Sequence, residues 1–347
     1  MRLSIVRIYM ERLGQGCLLV LSSPSNEGAL GYEATRDAWR RISRPPLPRS
    51  TKRGHVRGVG CAFTAAPRPM LASGLITMKD PQQIKLFEED AGETFPPEEG
   101  LYLGTSGWSY ADWEGTVYPP GTTPTGRLAE YVKHFATVEI DSTFYGTPRG
   151  TTVERWRKVA PRGFLFAAKF PHEVTHEGNL VNIRSEAEGF VRTMQALEDR
   201  LGPLLLQLPP DFTVEGMGAL EDFLSTLPEG FRYAVEVRHR SWIGSDLPEL
   251  LRECGVALTL VDYPGMPRLE EATTDFAYIR WLGNRREFPS GHTHLKKDRD
   301  DDLLWWAGVV DRFLKEGKTV FAYANNHYQN HSPSTLERFL ELRRDDR

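Results

Sequence analysis

Residues 137–145 read TVEIDSTFY, and their pattern decides how the rest of the chain is read. The run is β-branched and apolar, which predicts a buried strand. It nevertheless carries two carboxylates, Glu139 and Asp141, two residues apart. Side chains alternate faces along a strand, so both acids are expected to point the same way. Two acids on one buried face are costly unless they are paired or used. The same arrangement, an apolar run ending in polar residues, recurs along the chain. That repetition predicts parallel strands that close into a barrel and carry a functional face at their C-terminal ends.

Working outward, strands are expected at 101–107, 137–145, 164–171, 203–210, 233–239, 257–262, 276–283 and 319–326. Helical patterns near 125–135, 151–160, 185–200, 217–227, 247–253, 301–315 and 334–343 separate them, and no clear helix follows the sixth strand. Eight strands with mostly helical crossovers over roughly 245 residues match an α/β fold of the (β/α)8 TIM-barrel type, as one domain over 100–345. A doubly wound open sheet is the main rival. The fingerprint G-x-G-x-x-G is absent after the first strand, which counts against its dinucleotide-binding form.

Before the barrel, residues 1–77 show no sustained helix or strand period and are rich in Arg, Pro, Gly and Ser, as in SRPPLPRSTKRGHVRG. Such a composition predicts a disordered extension. It reads either as a basic nucleic-acid-binding tail or, the reading favoured here, as an over-long translation with the start at Met78 or Met70. Residues 78–99 form a polar lead-in. Residues 1–77 hold twelve Lys/Arg against four Asp/Glu, a net of +8, so the remainder carries −12 within a whole-chain charge of −4. An acidic body disfavours broad nucleic-acid binding. The apolar stretch 16–22 is short for a signal peptide and has no convincing cleavage site. With no run of 18 apolar residues and only Cys17, Cys61 and Cys254, the expectation is a reduced, cytoplasmic protein without a membrane span. Cys254 is expected to be a buried structural thiol.

In a barrel, chemistry sits at the strand C-terminal ends. Read in order, those ends supply Ser106 and Trp108; Glu139, Asp141 and Ser142; Lys169; Gln207; Glu236, Arg238 and His239; Asp262; Arg280; Asn325 and Asn326. Lys169 ends an apolar strand, and a buried lysine needs a carboxylate partner or a depressed pKa. Lys169 and Glu236 are therefore the leading acid–base candidates, with Glu139 and His176 beside them. Trp108, Ser142, Tyr145, Gln207, Arg238, His239, Arg280, Asn325 and Asn326 are the expected substrate-binding residues. Arg285 and Arg286 follow strand seven, where many barrels hold phosphate, although a solvated charge run is the plainer reading. The aromatics Trp108, Tyr110, Trp113, Tyr118 and Tyr145 are read equally as a stacking platform or a hydrophobic lid. Trp305 and Trp306 are expected to pack a helix.

Residues 172–176, HEVTH, match H-E-x-x-H formally. That zinc chemistry needs an α-helix with both His on one face. Pro171, the β-branched Val174 and Thr175, and Gly178 argue against a regular helix there. No cofactor is expected, and a divalent metal held by His176, His239 and the carboxylates is the alternative.

The stretches GTSGWSYADWEGTVYP (104–119), FATVEIDSTFYGTP (135–148), TVERW (152–156), FAAKFPHEVTHE (166–177), GPLLLQLPPDF (202–212), YAVEVRHRSW (233–242) and ANN (324–326) resemble the YecE-like family, a TIM-barrel family of unknown function. The resemblance spans about 100–342 and implies the barrel. It marks Glu139, Ser142, Lys169, His176, Gln207, Glu236, Arg238, His239 and Asn325 as family-motif positions. The family usually has a basic residue at 172, so the H-E-x-x-H match reads as accidental. It often has Asn at 141 and Asp at 327, which removes Asp141 and His327 from the expected catalytic set.

The leading expectation is an enzyme performing acid–base chemistry on a small polar substrate, sugar-like or phosphorylated, with the choice among hydrolase, lyase and isomerase open. Lys169 is acid, base or nucleophile, Glu236 its partner, and Arg238 and Arg280 clamp an anion while Gln207 and Asn325 orient it. The alternatives are a metal-dependent phosphodiesterase or nuclease resembling endonuclease IV barrels, and a non-catalytic nucleic-acid-binding barrel.

Overall fold

The computed structural model describes residues 98–178 and 180–345. The expected extension over 1–77, nearly all of the lead-in, and Cys17 and Cys61 lie outside the described residues. Eight parallel strands close in sequence order into a barrel. Crossover helices are interleaved: β1 (Leu101–Ser106), α1 (Arg127–Tyr131), β2 (Thr137–Ile140), α2 (Gly150–Val159), β3 (Leu165–Lys169), α3 (Arg184–Met194), β4 (Leu201–Gln207), α4 (Met217–Ser225), β5 (Tyr233–Glu236), α5 (Leu247–Glu253) and β6 (Ala257–Asp262). Then follow β7 (Phe276–Trp281), α6 (Asp300–Lys315), β8 (Thr319–Ala324), α7 (Asn326–Gln329) and α8 (Ser332–Asp345). As expected, no helix joins β6 to β7. Residues 263–275 cover that sector instead, packing Met266, Leu269 and Ala272 against the outer core.

The period of two explains which side chains enter the barrel. Tyr102, Leu165, Ala167, Leu205, Ala234, Ala257, Phe276, Tyr278, Phe321 and Tyr323 fill its interior. Two residues further along β3, β4, β5 and β7 the same face presents Lys169, Gln207, Glu236 and Arg280, all buried. The opposite faces meet the helices. In α6, Leu303, Trp306, Ala307, Val310 and Phe313 recur at helical spacing on the buried side. Asp300, Asp301 and Asp302 occupy its first turn, where the helix dipole favours negative charge.

Several expected elements stop early. β2 ends at Ile140, and Asp141–Tyr145 coils into a 3-10 helix, with the Thr143 hydroxyl 2.7 Å from both the Ile140 and Lys169 carbonyls. β4 ends at Gln207, ahead of Pro209 and Pro210, and β5 ends at Glu236. Residues 173–177 form a short π-helical turn, so HEVTH is helical but not as a regular α-helix. Cys254 is exposed rather than buried. It caps α5 beyond Leu247 and Leu251, which already fill the inward face. Trp306 is fully buried, as expected of a packing residue. No helix among the described residues is long and apolar enough to cross a membrane.

At Gly104, β1 approaches β2 so closely that an added Cβ would lie 2.1 Å from the Thr137 carbonyl oxygen. Gly104→Ala must separate the strands or distort them. At about 3 kcal/mol of overpacking, and 2–4 °C per kcal/mol, the thermal midpoint should fall by roughly 6 °C or more. A midpoint within about 1 °C of wild type would show that the strands yield freely.

Candidate functional site

The site begins with Arg280, which β7 points into the top of the barrel with only 2% of its surface exposed. One guanidinium nitrogen donates to Glu139 on β2 and another to Glu236 on β5, each at 2.6 Å. Glu139 also accepts from the Ser106 hydroxyl (2.9 Å) and the Tyr278 hydroxyl (2.7 Å). Glu236 also accepts from Arg238 Nε. Both carboxylates are fully buried, so they tolerate burial only because each is paired with a cation and hydrogen-bonded. Arg280 Nε alone has no hydrogen-bond partner.

Lys169 projects from the end of β3 beside this cluster. Its ammonium donates to Gln207 Oε1 at 2.7 Å and lies 3.9 Å from the centre of the Phe144 ring. Burial lowers its pKa, and the nearby Arg280 charge lowers it further against the pull of Asp141, Glu236 and Glu139. Asp141 stands on the 3-10 turn after β2, 3.6 Å from Arg280, with a third of its side chain open. Burial and then repulsion from Glu139 push its carboxyl up to about 6, although Arg280 and Lys169 oppose this. Glu236 behaves oppositely. Burial pushes it upward, but Arg238 and Arg280 outweigh that and hold it at about 2.

Above this floor opens a cavity of about 920 Å³. Its lining includes five cationic side chains, Lys169, Arg238, Arg280, Arg285 and Arg286, against one carboxylate, Asp141. Trp108, Tyr110, Phe144, Tyr145 and Tyr263 form aromatic walls, with the Arg238 guanidinium 4.2 Å from the centre of the Tyr263 ring. Of the aromatics read as a platform or lid, Trp113 and Tyr118 belong to the buried core. Tyr145 is 80% exposed.

Among the expected site residues, Trp108, Ser142, Tyr145, Lys169, Gln207, Arg238, Arg280 and Asn325 line the cavity. Glu139 and Glu236 lie beneath it as counter-charges, and a carboxyl held at about 2 is a poor general base. His176 packs edge-on to Phe144 with ring centres 5.0 Å apart, and its Nδ1 bonds to the Thr175 hydroxyl. His239 faces away: its side chain caps the short turn Arg240–Trp242 by accepting from Ser241 N. Asn326 is buried outside the cavity and accepts from the Ser332 backbone and hydroxyl. Asp262 misses the mouth as well. β6 turns Ala257 inward, so Asp262, five positions on, faces outward. There it accepts from Trp306 Nε1 and the Tyr328 hydroxyl and pairs with Arg268.

Asp141, read in the ring of strand ends, and His327 both line the cavity although they were set aside from the expected catalytic set, whereas Phe144, Tyr263 and Asn284 were not anticipated. The signal for Asp141 was present in its spacing from Glu139. Tyr263 and Asn284 sit in loops, and Phe144 and His327 sit in single helical turns after strands, where no periodicity marks orientation. Among the described residues no group of three or more His, Cys, Asp and Glu side chains is placed to hold a metal ion. His176, His239 and the carboxylates do not converge.

A closed parallel barrel with a cationic pocket over a buried ion-pair ring makes this a TIM-barrel protein of a defined kind. Within that class, the chain belongs to the family described as "Protein of unknown function DUF72", whose model matches residues 102–347. It is 37% identical over 139 residues to the UPF0759 protein YecE of Escherichia coli K12, an alignment covering 40% of this chain and 48% of that relative, so it spans about half of that protein's length. It is 25% identical over 272 residues to the UPF0759 protein YunF of Bacillus subtilis, covering 70% of this chain and 94% of that one. A solved DUF72 family structure from Thermotoga maritima superposes with a TM-score of 0.60 at 29% identity, over 71% of this chain and 98% of that one.

Two stability measurements probe the ring. Glu236→Gln leaves Arg280 and Arg238 without their shared counter-charge, so urea denaturation at neutral pH should show a loss of about 3–5 kcal/mol. A loss under about 1 kcal/mol would mean that the ring is not a structural unit. Asp141→Asn should do the reverse. A carboxyl raised from 3.8 to about 6 costs native stability as pH climbs through that window. Partial exposure screens the effect, so the gain at pH 8 should be on the order of 1 kcal/mol, or about 2–4 °C. It should shrink as pH falls below about 6, and a gain independent of pH would exclude this origin.

Proposed function

We propose that the cavity is an active site for acid–base chemistry on a small anionic, oxygen-rich substrate such as a sugar phosphate. The observation that carries this reading is the charge of the lining: five cations and one carboxylate surround a pocket of about 920 Å³ in a chain of net charge −4. Lys169 and Asp141 are the proton-exchanging pair. Their environments push the two groups toward each other, the ammonium downward and the carboxyl upward to about 6. A carboxyl displaced in this way can change protonation near neutrality, and the lowered proton affinity of the lysine favours release of its proton.

The remaining residues take supporting roles. Arg238 and Arg280 are locked by Glu236 and Glu139, so they offer fixed positive charge without reorganising when an anion arrives. Gln207 orients the lysine ammonium, Asn325 and Ser142 offer hydrogen bonds, and Trp108 and Tyr145 flank the polar body of the substrate. Glu236 serves as counter-charge rather than base. A metal-dependent phosphodiesterase would need a donor group that the described residues do not assemble.

The test is a turnover screen over small phosphate esters with wild type, Lys169→Met and Asp141→Asn. Lys169→Met should abolish turnover. Asp141→Asn should lower it by about 10²–10⁴-fold and remove the limb of the pH profile near 6. Turnover unaffected by both changes would sink the assignment.

A further inference from the structure

We infer that His327 is a third catalytic residue of this pocket, exchanging a proton through Nε2 with an oxygen of the substrate held beside Arg285 and Arg286. The inference rests on reading the cavity as an anion-binding active site. It adds a group carried by the chain after β8, three strands round the barrel from Lys169 on β3.

The backbone fixes where this ring stands. His327 follows the end of β8 as the second residue of α7, and its N–H donates to Asn325 Oδ1 at 3.0 Å. Its carbonyl accepts from Asn284 N at 3.1 Å, which ties it to the loop after β7. Gly283, at φ +63°, allows that approach, since a Cβ there would lie 2.0 Å from the His327 carbonyl oxygen. His327 is therefore held at the seam between two strands, among the residues that line the cavity.

The hydrogen bond at Nδ1 selects the tautomer. Nδ1 lies 2.7 Å from the Phe288 carbonyl oxygen. A carbonyl can only accept, so Nδ1 carries the hydrogen, and in the neutral ring Nε2 is a bare lone pair. Nε2 makes no hydrogen bond to any described residue. The charged and titratable groups facing the ring are His292, with ring centres 5.3 Å apart and nearly perpendicular, and Arg285. Burial lowers the proton affinity and these two groups lower it further, against the pull of the Phe288 carbonyl. The resting ring is neutral and can accept. When it takes a proton from a substrate hydroxyl, an O–H bond breaks and an Nε2–H bond forms. The imidazolium then stands between a carbonyl oxygen and the bound anion, and it can return the proton to an oxygen that gains negative charge.

A rival role is purely mechanical, with the ring only tethering Phe288. His327→Asn separates the two, because its amide can still donate to the Phe288 carbonyl but cannot exchange a proton. The experiment is ¹⁵N-histidine NMR on the full chain, titrated with inorganic phosphate, with the His327 signals among nine histidines identified from their absence in His327→Asn. Expected are an Nδ1–H tautomer in the free protein, a shift at His327 Nε2 on phosphate addition, and a titration midpoint raised by about one pH unit. On a phosphate ester that the enzyme turns over, His327→Asn should keep the thermal midpoint and lower kcat by about 10²-fold with KM little changed. Phosphate binding that perturbs the cavity but leaves Nε2 unmoved, or a variant with unchanged kcat, overturns the role of His327 while the reading of the pocket stands. No phosphate binding by the wild-type protein overturns both.

Discussion

The Arg280 guanidinium, held between Glu139 and Glu236, is the interaction on which the upper barrel depends. It joins β7 to β2 and β5 across the interior, tying Arg280 to residues 141 and 44 positions away in the chain. A charge so deeply buried is tolerable only when it is paired with opposite charge, so each strand must hold its register for the ring to close. The apolar layer below, from Phe276 to Tyr323, provides packing, and ionic pairing above it fixes which residue stands opposite which.

That ring also creates the chemistry at the mouth. Because Glu139 and Glu236 absorb part of the positive field from below, Lys169, Arg238 and Arg280 can sit side by side in the floor without expelling one another. Asp141 arrives as a third carboxylate where two are already paired, and it is the one that remains partly open. Its raised proton affinity follows from that surplus rather than from any feature of its own residue type.

The sequence makes some of this visible and hides the rest for physical reasons. Alternation along LFAAK and YAVE shows which face carries Lys169 and Glu236, and the missing helix after β6 is legible from the lack of a periodic pattern. Alternation does not show where a strand ends. The expected ring therefore ran past Glu236 to His239 and past Asn325 to Asn326, both of which the chain turns aside. It also placed Asp262 at the mouth, although β6 turns that residue toward Trp306 and Tyr328. Whether Glu236 is a base or a counter-ion depends on Arg238, two residues on, and on Arg280, 44 residues away, and only the first of these partnerships is local in the sequence. Cys254 failed for a simpler reason, since a position just past a helix end is not governed by the helix period.

The contrast between a cationic mouth and an acidic chain has a kinetic meaning. From residue 78 onward the chain carries a surplus of twelve negative charges, whereas the cavity lining carries five cations against one carboxylate, so the field at the mouth is opposite in sign to the net charge of that part of the chain. Such a field acts as a guide at long range. A guiding field of this kind weakens as salt screens it, so the encounter rate of any small anion with the mouth should fall with ionic strength.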